Sequence, residues 1–263
     1  MANVILKSGV LDTLALLITL MIMIFLCLRY VKSGKDVHIR KIMGLEGIDE
    51  AVGRATEMGR PVHFTTGTMA TLYSDEAPQI LAGLSVLSHV ARLTARNHVP
   101  LIVTVSQPSS LPLTEEIIRQ SYMKEGRSED FSHDMVRYIS TEQQAYAAGV
   151  LGIFFREKVA ANFMIGPIYA ESLILAEAGF RVGAMQVGGS GTKTGSVPFL
   201  IAVCDYVLIG EEMYAAGAYL SREPTMLANL LAEDLAKFGI LALVIVGALV
   251  TFFGTAFVTL LKM

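Results

Sequence analysis

The stretch Gly188-Gly189-Ser190-Gly191-Thr192-Lys193-Thr194-Gly195-Ser196 is the densest set of groups in this chain that could bind a ligand. Glycines let successive backbone N–H groups turn inward, the hydroxyls donate or accept, and Lys193 adds a full positive charge. That is the chemistry of a cradle for phosphate or carboxylate. Thr66, Thr68 and Ser106 offer further hydroxyls, and Glu171 offers a carboxylate suited to the hydroxyl groups of a ligand. The spacing is unspecific, however. Lys193 follows Thr192, which departs from G-x-x-x-x-G-K-[ST], and no glycine triplet has the G-x-G-x-x-G spacing. A tightly turned strand-to-helix connection accounts for the same residues without any ligand.

Groups for covalent or acid–base catalysis are thinner. Ser190 lacks the G-x-S-x-G elbow that would expose a nucleophile. Glu211 and Glu212 are adjacent, so on a helix their side chains diverge by about 100° and do not converge on one substrate. Acids at a helix start are favoured by the helix dipole in any case. His63 sits in an apolar run, where a hydrogen-bonded core role outweighs that of a base. The histidines at 38, 63, 89, 98 and 133 never fall at helical metal-ligand spacing, and Cys27 and Cys204 form neither a C-x-x-C pair nor a disulfide framework. No catalytic residue and no metal ligand is assigned, and the sequence requires no cofactor.

These residues need elements to position them. Val62–Thr65 reads as a short strand ending in Thr66-Gly67-Thr68, and a helix follows through ILAGLSVLSHVARLTARNH, with Ser74 as its cap and Pro78 in its first turn. Pro100–Ser106 is a continuous apolar run, as expected of a strand covered on both faces. Thr114 opens a helix; Met135–Ile139 is strand-like; Thr141 and Gln144 make a capping-box pair heading the next helix. Strands are then expected at Ala161–Ile165, Val182–Val187 and Tyr206–Ile209, with helices at Ala170–Phe180, Val197–Cys204 and Glu211–Leu220. This alternation predicts an α/β fold: a Rossmann-like, mostly parallel sheet of about six strands with helices on both faces. In such sheets ligands bind outside the carboxyl ends of the strands, where Thr66, Thr68, Ser106, Glu171 and the glycine-rich stretch would gather.

Two uncharged apolar runs flank that domain, Thr13–Leu28 and Phe238–Leu261. At 1.5 Å per residue, about 20 apolar residues cross a hydrocarbon core about 30 Å thick, so two transmembrane helices are expected. The first has no signal-peptide cleavage site after it. The expected organisation is a tail at 1–8, a span at 9–31, a basic segment and amphipathic helix at 32–60, the α/β domain at 61–221, a connecting helix at 222–237 and a second span at 238–261. Arg29, Lys32, Lys35, Arg40 and Lys41 crowd the inner end of the first span. By the positive-inside tendency they put the central domain in the cytoplasm and both termini outside a prokaryotic-type cell membrane.

Between residues 32 and 237 there are 18 Lys and Arg against 23 Asp and Glu, with no basic stripe, which excludes a nucleic-acid partner. The expected partners are the lipid bilayer and further copies of the chain, with other membrane proteins compatible. Consecutive Ile153, Phe154 and Phe155 cannot all face one core. Gly247, Thr251 and Thr255 lie at four-residue spacing in the second span, as helix packing in lipid favours. The expected role is an oligomeric scaffold or assembly module. The alternative is a sensor or enzyme that takes a nucleotide or phosphorylated small molecule at Gly188–Ser196.

Four phrases carry a resemblance: Ile48-Asp-Glu-Ala-Val-Gly-Arg-Ala-Thr-Glu-Met-Gly-Arg-Pro61, Gly166-Pro-Ile-Tyr-Ala-Glu171, Leu175-Ala-Glu-Ala-Gly179 and Gly183-Ala-Met-Gln-Val-Gly-Gly189. They resemble a signature of an uncharacterised prokaryotic family of membrane-anchored domains of unknown function. The resemblance implies a membrane location and an α/β domain, and no reaction. The glycine-rich stretch is also similar to the tubulin-type phosphate loop, but over that short segment only.

Overall fold

The computed structural model describes residues 10–33, 42–68, 71–191 and 197–260, with side chains at 13–33, 42–68, 71–191, 197–220 and 222–252. The chain divides into two compact units, Arg40–Ser221 and the flanking segments Met1–Ile39 with Arg222–Met263.

Within the central unit, six strands form one parallel sheet: β1 (Val62–Thr65), β2 (Leu101–Val105), β3 (Val136–Tyr138), β4 (Ala161–Ile165), β5 (Met185–Ser190) and β6 (Tyr206–Ile209). Their order is β3-β2-β1-β4-β5-β6, so the direction of strand addition reverses between β1 and β4. β1, β2, β4 and β5 are buried throughout, as strands covered by helices on both faces are. One face is covered by α2 (Met43–Met58), α3 (Ala77–Asn97), α4 (Leu111–Lys124) and α8 (Glu211–Ser221) around a core that includes Ile48, Phe64, Leu87, Ile118, Phe163 and Met213. The other carries α5 (Gln143–Glu157), α6 (Glu171–Val182) and α7 (Val197–Val203) around Tyr146, Phe154, Met164, Leu175 and Leu200.

Several local expectations shift. The fifth strand starts at Met185 and runs to Ser190, because α6 continues to Val182 and Gly183, at φ +74°, closes it in the left-handed region. The capping box does not form: α5 begins at Gln143, and the Glu142 N–H donates to Ser140 Oγ instead. Ser74 does not cap α3, which begins at Ala77; its hydroxyl donates to the Thr71 carbonyl at 2.8 Å. α4 starts at Leu111, ahead of Thr114.

The flanking unit holds two long helices, α1 (Val10–Lys32) and α9 (Pro224–Leu260), both long and apolar enough to cross a membrane. α9 runs unbroken through the expected connecting segment and second span. Cys27 and Val31 of α1 pack against Ala228 and Ala232 of α9, with Met23, Leu28, Leu227 and Leu231 around them. Small alanines let the two backbones approach closely.

Candidate functional site

The strand order reverses between β1 and β4, and two glycines shape the turns at the carboxyl ends of these strands. Gly166 has φ +146°, and a Cβ there would lie 2.0 Å from the Thr66 carbonyl oxygen. Gly67 has φ +107°, and its Cβ would meet the Pro167 carbonyl oxygen at 2.5 Å. Only glycine allows the turns after β1 and β4 to touch this closely. The Thr68 N–H donates to the Pro167 carbonyl at 2.9 Å, and Ser106 Oγ, at the end of β2, donates to the Gly67 carbonyl at 3.4 Å.

Glu171, the first residue of α6, is only 1% exposed at the centre of this edge. Its carboxylate accepts from the Thr68 hydroxyl, from the Gln143 side-chain amide and from the Tyr169 N–H at 3.0 Å. Three donors thus satisfy the oxygens of this buried side chain. Next to it the Tyr169 hydroxyl donates to Glu76, just ahead of α3. Desolvation and the Glu76 carboxylate push the Tyr169 phenol up to about 12. Gln79, in the first turn of α3, accepts from the Gly191 N–H at 3.1 Å, so α3 holds the head of the glycine-rich stretch.

The residues singled out in the sequence therefore part company. Thr66, Thr68, Ser106 and Glu171 come together at this edge of the sheet and are buried there. Gly188, Gly189 and Ser190 are strand rather than loop. A Cβ on Gly188 would lie 3.0 Å from Cys204 Sγ and 3.0 Å from Leu200, and one on Gly189 would lie 3.2 Å from Ile165, so these glycines serve packing. Gly191 ends the described segment, and Thr192, Lys193 and Thr194 lie outside the described residues, as do Lys35, Arg40 and Lys41. Arg29 and Lys32 occupy the last turn of α1, where cations complement the helix dipole. Gln143, Tyr169, Glu76 and Gln79 were not expected at this edge. Glu76 and Gln79 lie 93 and 112 residues from their partners, so no local spacing could reveal them.

A second polar constellation crosses the sheet on the α5 and α6 side. Gln186 Nε2 donates to the Ala176 carbonyl, leaving its Oε1 to accept from Asn162 Nδ2 at 3.2 Å. Asn162 Oδ1 then takes the proton on His63 Nδ1 at 2.9 Å, so His63 Nε2 accepts from the Thr104 hydroxyl at 2.9 Å. Thr104 Oγ1 in turn accepts from the Tyr146 hydroxyl at 2.6 Å, Tyr146 from Thr65 at 2.7 Å, and Thr65 from the Gly67 N–H at 3.3 Å. Burial lowers the pKa of His63 to about 4, against the opposing pull of its bond to Asn162. His63 is thus a neutral, hydrogen-bonded core residue, as expected. Desolvation likewise pushes Tyr146 and Cys204 up to about 12, which removes Cys204 as a thiolate nucleophile. No group of three or more His, Cys, Asp and Glu arranged to hold a metal occurs among the described residues.

The model of a family described as a domain of unknown function (DUF6754) matches residues 2–261. No curated protein and no solved structure matches the chain.

Proposed function

We propose that this chain, which belongs to the DUF6754 family, is a membrane-anchored assembly module. In this reading α1 and α9 cross the bilayer, the central α/β unit is cytoplasmic, and the unit's helical surface mediates association between copies. The observation that carries it is the outer side of the α5, α6 and α7 layer. Phe155, Leu173, Ile174, Phe180, Phe199 and Ile201 are all exposed there, on helices whose inner sides are fully packed. Large apolar side chains exposed on one layer of helices suit protein–protein contact. Double anchoring would confine every copy to one plane and one orientation, which favours lateral association. Chemical cross-linking in intact membranes, followed by light scattering of the purified full chain in detergent, tests the reading. Cross-linked multimers and a mass above one chain are expected; a monomer in both would refute it.

A second reading, a binding site for a small polar ligand, is favoured by one specific observation. Thr68, Ser106 and Glu171 sit at the reversal of strand order, the usual ligand position in open α/β sheets, and Gln79 anchors the glycine-rich stretch beside it. Nucleotides and sugar phosphates are the compounds to try, because Lys193 and the adjacent hydroxyls suit an anion. A compound at about 100 times its dissociation constant should add about 2.7 kcal/mol to stability and raise the melting temperature by several degrees. The shift should shrink in Lys193→Ala. Absence of a shift with every compound would leave the stretch as architecture.

A further inference from the structure

We infer that the assembly contact is a two-fold dimer of the central unit made by α6 against α6 of a second copy. The inference rests on the assembly reading and adds the surface and the symmetry to it.

α6 is the middle helix of its layer, between α5 and α7. Leu173, Ile174, Glu177, Phe180 and Arg181 recur along it at helical spacing and form its outer side. Phe180 is 79% exposed and is the most exposed of the large apolar side chains on this layer. Glu177 and Arg181 stand one turn apart beside it, joined in an ion pair of 2.6 Å that is itself exposed. A bilayer surface would have to accept that charge pair within its apolar contact, and an unrelated protein would need a matching pair of its own. A second copy supplies the match by symmetry.

In an isologous contact residue i meets j while j meets i. If α6 crosses its counterpart antiparallel near Phe180, Glu177 of each copy faces Arg181 of the other. The two Phe180 rings meet close to the axis, with Ile174 and Leu173 flanking them. The acid and the base are balanced along one line, so the two intrachain pairs, one in each copy, are exchanged for two pairs between copies without leaving a charge unmatched. Such rim charges set register and exclude wrong partners more than they add affinity. The aromatic contact at the centre carries the binding.

The test uses the full chain in detergent, with mass followed by light scattering over a dilution series. Phe180→Ser changes an exposed side chain, so its far-ultraviolet circular dichroism should match that of the parent, while dimer affinity falls at least about tenfold. Glu177→Arg and Arg181→Glu should each weaken the homodimer, since each puts like charges face to face. Mixing those two variants in equal amounts should restore dimers, now heterodimers, because each supplies the charge the other lacks. No intrachain effect of either substitution predicts that rescue. A mass above one chain that Phe180→Ser leaves unchanged, or a mixture that fails to pair, overturns the α6 contact and spares the assembly reading. A parent chain that is monomeric at every concentration overturns both.

Discussion

His63 shows how burial, rather than catalysis, sets the chemistry of a side chain here. Its pKa falls from 6.5 to about 4 because the charged form would lose its hydration, so the folded domain holds it neutral. On acidification the unfolded chain binds the proton first. The stabilisation from neutral His63 is therefore complete above about pH 6.5 and is lost as the pH falls towards 4, by about 3 kcal/mol if the full shift is realised. His89, lowered by burial against the opposing pull of Asp49, acts in the same direction. Denaturant titrations of the full chain in detergent between pH 7.5 and 4 should thus show falling stability. His63→Gln should flatten the slope without abolishing it, and an unchanged slope would show that His63 is not held neutral. That His63 is a core residue was legible from its apolar neighbours. Its partners Asn162 and Thr104 were not, because strand pairing brings them together across 99 and 41 residues.

At the level of elements, glycines act in opposite senses. In α2, Gly53 has nothing within 4 Å of an added Cβ, so Gly53→Ala should stabilise the full chain by about 0.5–1 kcal/mol through helix propensity. Gly166→Ala, by contrast, drives a methyl into the Thr66 carbonyl at a backbone angle that L residues avoid, and should cost about 3 kcal/mol or prevent folding. Thermal melting of the two variants side by side checks both signs. The same residue type limited what could be read in advance. β1, β4 and β6 are bounded as their apolar runs suggest. β5 was misplaced because Gly188 and Gly189 look like loop, whereas they make room for Leu200, Cys204, Ile165 and Leu208 from neighbouring elements. The candidate site was half legible: the strand ends pointed to Thr68 and Glu171, but Gln143 and Tyr169 carry no local signature.

For the whole molecule, the decisive experiment on orientation is cysteine labelling from outside intact cells. Once Cys27 and Cys204 are replaced by Ser, Ala2→Cys and Lys262→Cys should react with an impermeant maleimide, and Glu129→Cys only after permeabilisation; the reverse pattern would invert the proposed topology. Within the central unit, the buried row from Gly67 through Thr65, Tyr146, Thr104, His63 and Asn162 to Gln186 draws on four of the six strands as well as α5. Each member between Gly67 and Gln186 accepts from one neighbour in the row and donates to the next, so the row closes in one alignment. Sliding β1 by a single residue would put Val62 or Phe64 where His63 stands and leave the Asn162 and Thr104 side chains stranded without water. An apolar sheet face tolerates small misalignments because one aliphatic side chain substitutes for another. This one does not. The row works as a checksum on assembly: parallel strands far apart in the chain meet slowly and by many trial pairings, and only the correct one passes.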